Sequence, residues 1–249
     1  MSSVKSYLQS LRAEGKKALA VLVDPDELHR EDYRSALVAS IQRDEIDLIL
    51  VGGSLVTGDG FDDQLKWLRN NCPLPITLFP GSPTQLNEHV DAVLFLSLIS
   101  GRNPDLLIGQ HVIAAPRIKE LNLEAISTGY MLIDGGKPTT ASYISNTLPI
   151  PRDKARIAAA TAMAGELLGM HCLYMDTGSG ALFPVPIDSI KAVRKNTDIP
   201  LIVGGGIRSV SEADAAFRAG ADLVVIGTLF EKEPELLASF SKELRSSQS

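Results

Sequence analysis

The chain has 249 residues, of which 45% are hydrophobic and 5% aromatic, and its formal net charge is −6 at pH 7. A length of about 250 residues suits one α/β barrel or one doubly wound domain. The negative charge argues against nucleic acid or an anionic membrane surface as the main partner.

Eight short apolar runs alternate with helical or loop segments at intervals of about 25 to 45 residues, as expected of repeated βα units. Eight such units close into a parallel barrel. We therefore predict an α/β fold, a (β/α)₈ TIM barrel, in a single domain over residues 1–249. The predicted strands are residues 18–23, 46–51, 76–79, 92–96, 125–133, 172–175, 201–203 and 223–226.

Two connections depart from this regular repeat. Only PGSPTQLNEHVD separates the third and fourth strands, which is short for a crossover helix and rich in turn residues. We predict an irregular extended segment where helix 3 would be. Residues 134–151, after the fifth strand, are long and rich in Gly, Pro, Ser and Thr. Their position at the C-terminal end of a strand favours a lid over a disordered connector.

The last two predicted strands each end in glycine. Residues 201–203 continue into Gly204, Gly205 and Gly206, and residues 223–226 continue into Gly227 and Thr228. Glycines let backbone amides approach an anion closely, and neighbouring helix N-termini add positive dipole ends. Because barrel active sites lie at the C-terminal ends of the strands, we predict a phosphate site here. For the triplet alone, a tight turn without a ligand is the alternative.

A carboxylate at the end of the first strand is a candidate metal ligand. Asp24, with the hydroxyl of Ser54 after the second strand, offers the hard oxygen ligands that Mg²⁺ prefers. An Asx turn before Pro25 explains the same aspartate equally well. The four histidines share no ligand spacing and the two cysteines lie far from them, which argues against a zinc site.

A second carboxylate, Asp176, lies between Tyr174 and a Gly-Ser-Gly turn at 178–180. In a barrel this position is next to the predicted phosphate site. The carboxylate could orient or deprotonate a hydroxyl of a phosphorylated polyol, which is a general-base role. The alternative is a turn-starting aspartate that accepts hydrogen bonds from the amides that follow it.

Several motifs together resemble the geranylgeranylglyceryl phosphate synthase family, which includes bacterial heptaprenylglyceryl phosphate synthases. The resemblance extends from about Leu19 to Phe230. It implies a barrel without helix 3, a Mg²⁺ cofactor at Asp24 and Ser54, and an ether bond formed between sn-glycerol 1-phosphate and a polyprenyl diphosphate, most often geranylgeranyl diphosphate. The motifs are VDPD at 23–26, VGGS at 51–54, PITLFPG at 75–81, STGY at 127–130, YMDTGSG at 174–180, VGGGIR at 203–208 and IGT at 226–228.

The resemblance also implies site residues, with Asp176 and Tyr174 as the catalytic pair. This chain departs from the family in having Asp176 where Glu is common, which shortens the carboxylate arm by one methylene, and Thr228 where many members have Asn. The prenyl tail needs an apolar trough, for which Phe95, Leu96, Leu98, Ile99, Tyr130 and Met131 are candidates, ordinary packing being the alternative. The implied glycerol 1-phosphate site is Tyr174, Met175, Asp176, Thr177, Gly178, Ser179, Gly180, Gly204, Gly205, Gly206, Gly227 and Thr228.

Two other functions fit the same phosphate site. A sugar-phosphate isomerase would need a second acid or base near strand five, where the chain has Tyr130 and the more distant Asp134. A catalytically silent phosphate binder would fit the aspartate in place of glutamate. We expect no integral membrane segment, because no apolar run reaches about 18 residues. We expect a cytoplasmic location, because Cys72 and Cys172 resemble buried thiols of a reducing compartment. We also expect a homo-oligomer.

Overall fold

The computed structural model describes residues 3–43, 45–53 and 60–247. Its eight strands pair in parallel in sequence order, and the eighth pairs with the first, so the sheet closes into a barrel. The predicted TIM barrel is confirmed. The strands are β1 Ala18–Val23, β2 Leu48–Val51, β3 Ile76–Leu78, β4 Ala92–Leu98, β5 Glu124–Leu132, β6 Cys172–Asp176, β7 Leu201–Gly204 and β8 Leu223–Ile226.

Helices surround the barrel and close one end of it. The helices of the described residues are α1 Val4–Glu14, α2 Glu31–Gln42, α3 Phe61–Asn71, α4 Gln110–Glu120, α5 Thr140–Ser145, α6 Ala155–Leu167, α7 Ile187–Asn196, α8 Val210–Ala219, α9 Thr228–Lys232 and α10 Leu236–Ser247. A π-helical turn, Asp105–Gly109, leads into α4. None of the helices in the described ranges has the length and apolar character needed to span a bilayer.

Helix α1, which we did not predict, covers the N-terminal end of the barrel. Its apolar residues Val4, Leu8 and Leu11 are buried against the first residues of the strands. The carboxylate of Glu124 accepts hydrogen bonds from the backbone amides of Val4 and Lys5 at 2.8 and 3.2 Å, where an acidic group favours a helix N-terminus. The opposite end of the barrel is therefore the one open to ligands.

The two irregular connections both differ from a standard barrel. Between β3 and β4 there is only a short 3₁₀ turn, Pro83–Gln85. The predicted absence of the barrel's third crossover helix, the one that would follow β3, is therefore confirmed. Residues 134–151 are more ordered than we predicted, because they contain helix α5 and because Ile150 pairs with Ile133. This segment is thus a folded cover and not an unstructured loop.

Side chains alternate along each strand between the barrel interior and the layer under the helices. On β6, Cys172 and Tyr174 belong to the interior, whereas Leu173 and Met175 pack in the outer layer. The alternation brings Asp176 to the inner side again, at the C-terminal mouth. Both cysteines, Cys72 among them, are free and buried, as expected.

Candidate active site

Two cavities open at the C-terminal mouth of the barrel and share a wall. The larger, here called the polar cavity, has a volume of about 390 Å³ and is bounded by the ends of β1, β6, β7 and β8. The smaller, the apolar cavity, has a volume of about 160 Å³ and lies between β3, β4, β5, α4 and α5. Gly53, Phe79 and Tyr130 line both.

Glycines in left-handed conformations form one side of the polar cavity. Gly178, Gly205 and Gly206 have φ angles of 84°, 78° and 70°, which expose backbone amides at the turns after β6 and β7. A Cβ on Gly205 would collide with Asp176, so close approach as well as conformation requires glycine there. The turn after β8 meets the turn after β6 through the hydroxyls of Ser179 and Thr228, which lie 3.0 Å apart.

The helix dipole contributes to this site less directly than we predicted. Helix α8 is closed by its own capping box, in which Ser209 and Glu212 satisfy each other's backbone amides, so its first donors are occupied. Arg208, just before it, donates hydrogen bonds to the carbonyls of Ala181 and Leu182. The arginine therefore braces the turn after β7 against the turn after β6.

Asp176 is held from both sides at the floor of the polar cavity. Its Oδ1 accepts a hydrogen bond from the amide of Gly178 at 2.7 Å, and its Oδ2 accepts one from the hydroxyl of Tyr130 at 2.6 Å. Its exposed fraction is 7%, and burial raises the pKa of the carboxyl above its usual value. The turn-starting aspartate and the general base, which we had treated as alternatives, are both compatible with this geometry.

Three aromatic rings form the wall between the cavities. The ring of Tyr174 stacks on that of Phe79 at a centroid distance of 5.1 Å, and Tyr130 meets Tyr174 edge to face at 5.7 Å. Tyr174 is 1% exposed. Burial, followed by the charge of Asp176, raises the pKa of both tyrosines well above 10, so both phenols stay protonated at neutral pH.

Three residues of the predicted glycerol phosphate site do not line the polar cavity. Met175 points into the layer between the sheet and the helices, because strand alternation turns it away from the interior. Thr177 is 1% exposed, with its hydroxyl buried against the Gly205 turn. Gly204 is the last residue of β7 and is covered by the Tyr174 ring. Their direct contact with the ligand stays a prediction. Among the residues that do line it are Tyr174, Asp176, Gly178, Ser179, Gly180, Gly205, Gly206, Gly227 and Thr228.

The predicted metal ligand Asp24 lies on the rim of the polar cavity. Its Oδ1 accepts a hydrogen bond from the Asp26 amide at 2.9 Å, so the Asx turn is present, and burial raises the pKa of its carboxyl. Glu231 of α9, which sequence reasoning missed, lines the same cavity. Burial and the neighbouring charge of Asp24 raise the pKa of Glu231 to about 7. The second predicted ligand, Ser54, lies outside the described residues.

These oxygens fit a hard divalent cation. Arg30, the nearest arginine in sequence, pairs with Glu27 and Asp32 and not with Asp24, which lines the polar cavity. Within the described ranges, no group of three or more His, Cys, Asp or Glu side chains is arranged around a metal position. Mg²⁺ usually takes one or two protein carboxylates and completes its shell with water and substrate phosphates, and its binding at Asp24 stays a prediction.

The apolar cavity lies beside the β3–β4 connection, which contains no crossover helix. The segment from Pro80 to Leu86 and helix α4 leave a space beside the barrel, into which β4 and β5 turn their side chains. Of the predicted trough, Ile99 and Met131 do not line it, since Met131 is fully buried in the outer layer. Phe95, Leu96, Leu98 and Tyr130 do, joined by residues of the preceding π-helical turn, α4 and α5 that we did not predict: Leu106, His111, Ala114, Ile118, Ala141 and Ile144.

Helix α5 covers both cavities at once. Thr140 lines the polar cavity, whereas Ala141 and Ile144 line the apolar one. A Cβ on Gly178 would lie 2.6 Å from the hydroxyl of Thr139, so the cover rests directly on the turn after β6. The position agrees with the predicted lid, and its opening stays a prediction.

Comparisons with known proteins agree with this architecture. A model of the PcrB family matches residues 13–244. Geranylgeranylglyceryl phosphate synthase of Chitinophaga pinensis is 51% identical over 91% of this chain and 89% of its own, and the Pyrococcus furiosus enzyme of the same name is 40% identical over 93% and 91%. The crystal structure of (S)-3-O-geranylgeranylglyceryl phosphate synthase from Thermoplasma acidophilum, in complex with sn-glycerol 1-phosphate, superposes with a TM-score of 0.88 at 28% identity, covering 99% of this chain and 100% of that one.

Proposed function

The chain belongs to the PcrB family, and on that premise we propose that it joins sn-glycerol 1-phosphate to a long polyprenyl diphosphate, most often geranylgeranyl diphosphate, with Mg²⁺ as cofactor. It is a prenyltransferase, as its named relatives are, which decides against the isomerase and the silent phosphate binder. The product is the 3-O-polyprenyl ether of glyceryl phosphate.

The observation that carries the proposal is the shared wall of the two cavities. An alkyl transfer needs a polar acceptor and an apolar donor to meet at one point. Here a glycine-lined polar cavity and an apolar cavity meet at Gly53, Phe79 and Tyr130. Neither cavity alone would distinguish this reaction from phosphate binding or from lipid binding.

The acceptor would bind with its phosphate on the turns after β6, β7 and β8. Neutral hydrogen-bond donors suit a phosphate at this site. They are the amides of Gly205 and Gly206 and the hydroxyls of Ser179 and Thr228. The glycerol carbons would then extend toward Asp176 on the cavity floor.

The donor would place its tail in the apolar cavity and its diphosphate near Asp24. Asp24 would hold the cation with one carboxylate oxygen, while its other oxygen stays in the Asx turn. Bound there, Mg²⁺ would neutralise charge on the departing diphosphate, which is the chemistry that such an ion supplies. Ser54 is the proposed second ligand.

The reacting carbon would lie at the aromatic wall. As the allylic carbon–oxygen bond breaks, positive charge develops at C1, and the rings of Phe79 and Tyr130, which line both cavities, can stabilise a cation. The neighbouring glycerol hydroxyl attacks C1, and Asp176 takes up its proton. Because an alcohol is a weak nucleophile, its positioning beside the cation contributes more than its full deprotonation.

A product assay tests the proposal. The purified protein is incubated with sn-glycerol 1-phosphate, Mg²⁺ and prenyl diphosphates of increasing length, and the ether product is measured by mass spectrometry. We expect product with at least one donor, less with sn-glycerol 3-phosphate, and none when Mg²⁺ is chelated. No ether product at any chain length would overturn the proposal.

We also propose that the chain self-associates. Helix α4 and its preceding turn expose Ile108, Val112 and Ile113, each more than half exposed, which supports a further contact surface. Analytical ultracentrifugation of the wild type and of Val112→Lys tests this, and a monomeric wild type would contradict it. A cytoplasmic location stays a prediction.

A further inference from the structure

We propose that Tyr130 is a catalytic residue that relays the proton of the acceptor hydroxyl to Asp176, so that the phenol and the carboxylate act as one base. The proposal rests on the proposed prenyl transfer and assigns a residue to it. From the sequence, Tyr130 is a candidate contact of the prenyl chain and, only for the alternative isomerase, a candidate acid or base.

The carboxylate of Asp176 is already engaged by hydrogen bonds inside the protein. Both oxygens of Asp176 already accept a short hydrogen bond, one from Gly178 and one from Tyr130, and the side chain is 7% exposed. Its short arm keeps it on the cavity floor beside Gly205, so close that a Cβ at position 205 would collide with its Oδ1. Each oxygen keeps a further acceptor site, so the small exposed fraction of the carboxylate, and not its hydrogen bonds, is what limits a direct contact with a substrate hydroxyl.

The phenol of Tyr130 lies where the two cavities meet. Tyr130 is more exposed than Asp176, and it lines both cavities. A hydroxyl that attacks a carbon at the boundary between the cavities must come close to the shared wall. The phenolic oxygen donates its hydrogen to Asp176 and keeps lone pairs that can accept another, so it can link the substrate hydroxyl to the carboxylate.

The proton and electron balance of the step is simple. The bond between C1 and the diphosphate oxygen breaks, and its electron pair leaves with the diphosphate. The glycerol oxygen forms the new bond to C1 and gives its proton to the Tyr130 oxygen, while the Tyr130 proton passes to Oδ2 of Asp176. Tyr130 ends unchanged, and Asp176 ends protonated and loses that proton to solvent before the next turnover.

The test begins with variants that remove one member of the relay at a time. We expect Tyr130→Phe and Asp176→Asn each to lower kcat on the order of 10²-fold, with the KM for glycerol phosphate changed less than about threefold. The double variant should be no slower than Asp176→Asn alone, because the two residues act as one unit. Tyr7→Phe, in helix α1 at the opposite end of the barrel, is the matched control and should keep full activity.

A second measurement separates a relay from a purely positioning role. Trifluorotyrosine at position 130 keeps the hydroxyl and its hydrogen bond but makes the phenolic oxygen less basic. A relay then lowers kcat on the order of fivefold, whereas a positioning residue leaves kcat unchanged. Wild-type ether formation, measured first, tests the proposed function by itself. Given that activity, an unchanged kcat in trifluorotyrosine enzyme, or Tyr130→Phe within threefold of wild type, would overturn the relay.

Discussion

The two cavities at the barrel mouth are adjacent but are made from different parts of the chain. The polar cavity is formed mainly by backbone, in glycine turns that directly follow β6, β7 and β8. The apolar cavity is formed mainly by side chains, drawn from two strands, the segment before β4, α4 and α5. Charge recognition thus depends on local turns, and recognition of a hydrocarbon chain depends on how distant elements pack.

The two cavities also lower the stability of the ligand-free protein in different ways. In the polar cavity, carboxyls of Asp24, Asp176 and Glu231 are partly or wholly removed from water, and burial raises the pKa of each. In the apolar cavity, hydrophobic side chains line empty space. A cation and the acceptor would offset the burial of the carboxyls, and the prenyl chain would fill the apolar cavity. Each cavity can therefore be tested by a substitution that leaves the other cavity unchanged.

The largest effect should come from Asp24→Asn. Asparagine keeps the Asx turn, because its Oδ1 can still accept the hydrogen bond from the Asp26 amide, but it loses the charge that would hold a cation. We expect turnover to fall at least on the order of 10³-fold. The Kd of glycerol phosphate, measured by calorimetry, should stay within about threefold of the wild-type value, because the glycine turns proposed to bind the phosphate lie across the cavity from Asp24. Equal loss of both would show that Asp24 is structural.

A smaller effect, confined to the acceptor, should follow Gly205→Ala. The residue has a φ of 78°, and a Cβ there would collide with Asp176 and lie 2.6 Å from the hydroxyl of Thr177. We expect glycerol phosphate to bind on the order of 10²-fold more weakly, since the turn must shift away from the phosphate. Binding of the prenyl diphosphate should change little.

The control for this variant is Gly169→Ala. Gly169 also has a positive φ, 82°, but a Cβ there meets nothing within 4 Å, and the residue follows α6 away from the cavities. It measures the cost of the left-handed conformation alone. If both variants bound glycerol phosphate like the wild type, the glycine turns would not be the phosphate site.

The same contrast explains what the sequence predicted. Eight apolar runs with glycine or a carboxylate after them sufficed for the barrel and for the residues of the polar cavity, because each turn is coded by its own few residues. The orientation of the Met175 side chain was not predicted, since strand alternation, and not adjacency to Asp176, decides which way it points. The apolar cavity was half predicted, because α4 and α5 reach it only through the closed topology.

Two finer features also lay beyond sequence patterns. Glu231 comes into the polar cavity because α9 begins at Thr228, directly after β8 and Gly227, and a short helix of five residues has no apolar periodicity to reveal it. The hydrogen bond between Tyr130 and Asp176 joins residues 46 positions apart, on neighbouring strands. A register of paired strands is needed to bring them together.

A moderate effect, confined to the donor, should follow Ala114→Phe. Ala114 lies on α4, is 8% exposed and lines the apolar cavity, so a phenyl group would occupy space meant for the prenyl chain. We expect the KM for a long prenyl diphosphate to rise about tenfold, with shorter donors affected less. Glycerol phosphate binding should not change. Ala160→Phe, on the exposed face of α6, is the control for the substitution itself.

The smallest effect should be that of Asp176→Asn on stability, which measures how far the burial of this carboxylate destabilises the folded protein. Burial raises the pKa of Asp176 in the folded protein above its unfolded value of about 4, so folding favours the neutral carboxyl. Its contribution to stability is therefore fully present below about pH 4 and is lost as the pH rises through the folded pKa. Asparagine resembles the neutral form at every pH. We expect Asp176→Asn to have a higher Tm than the wild type at pH 7, with the difference shrinking toward pH 4 in calorimetric scans. A difference that does not depend on pH, or a less stable variant at pH 7, would mean that hydrogen bonds from Gly178 and Tyr130 outweigh the cost of burying the charge.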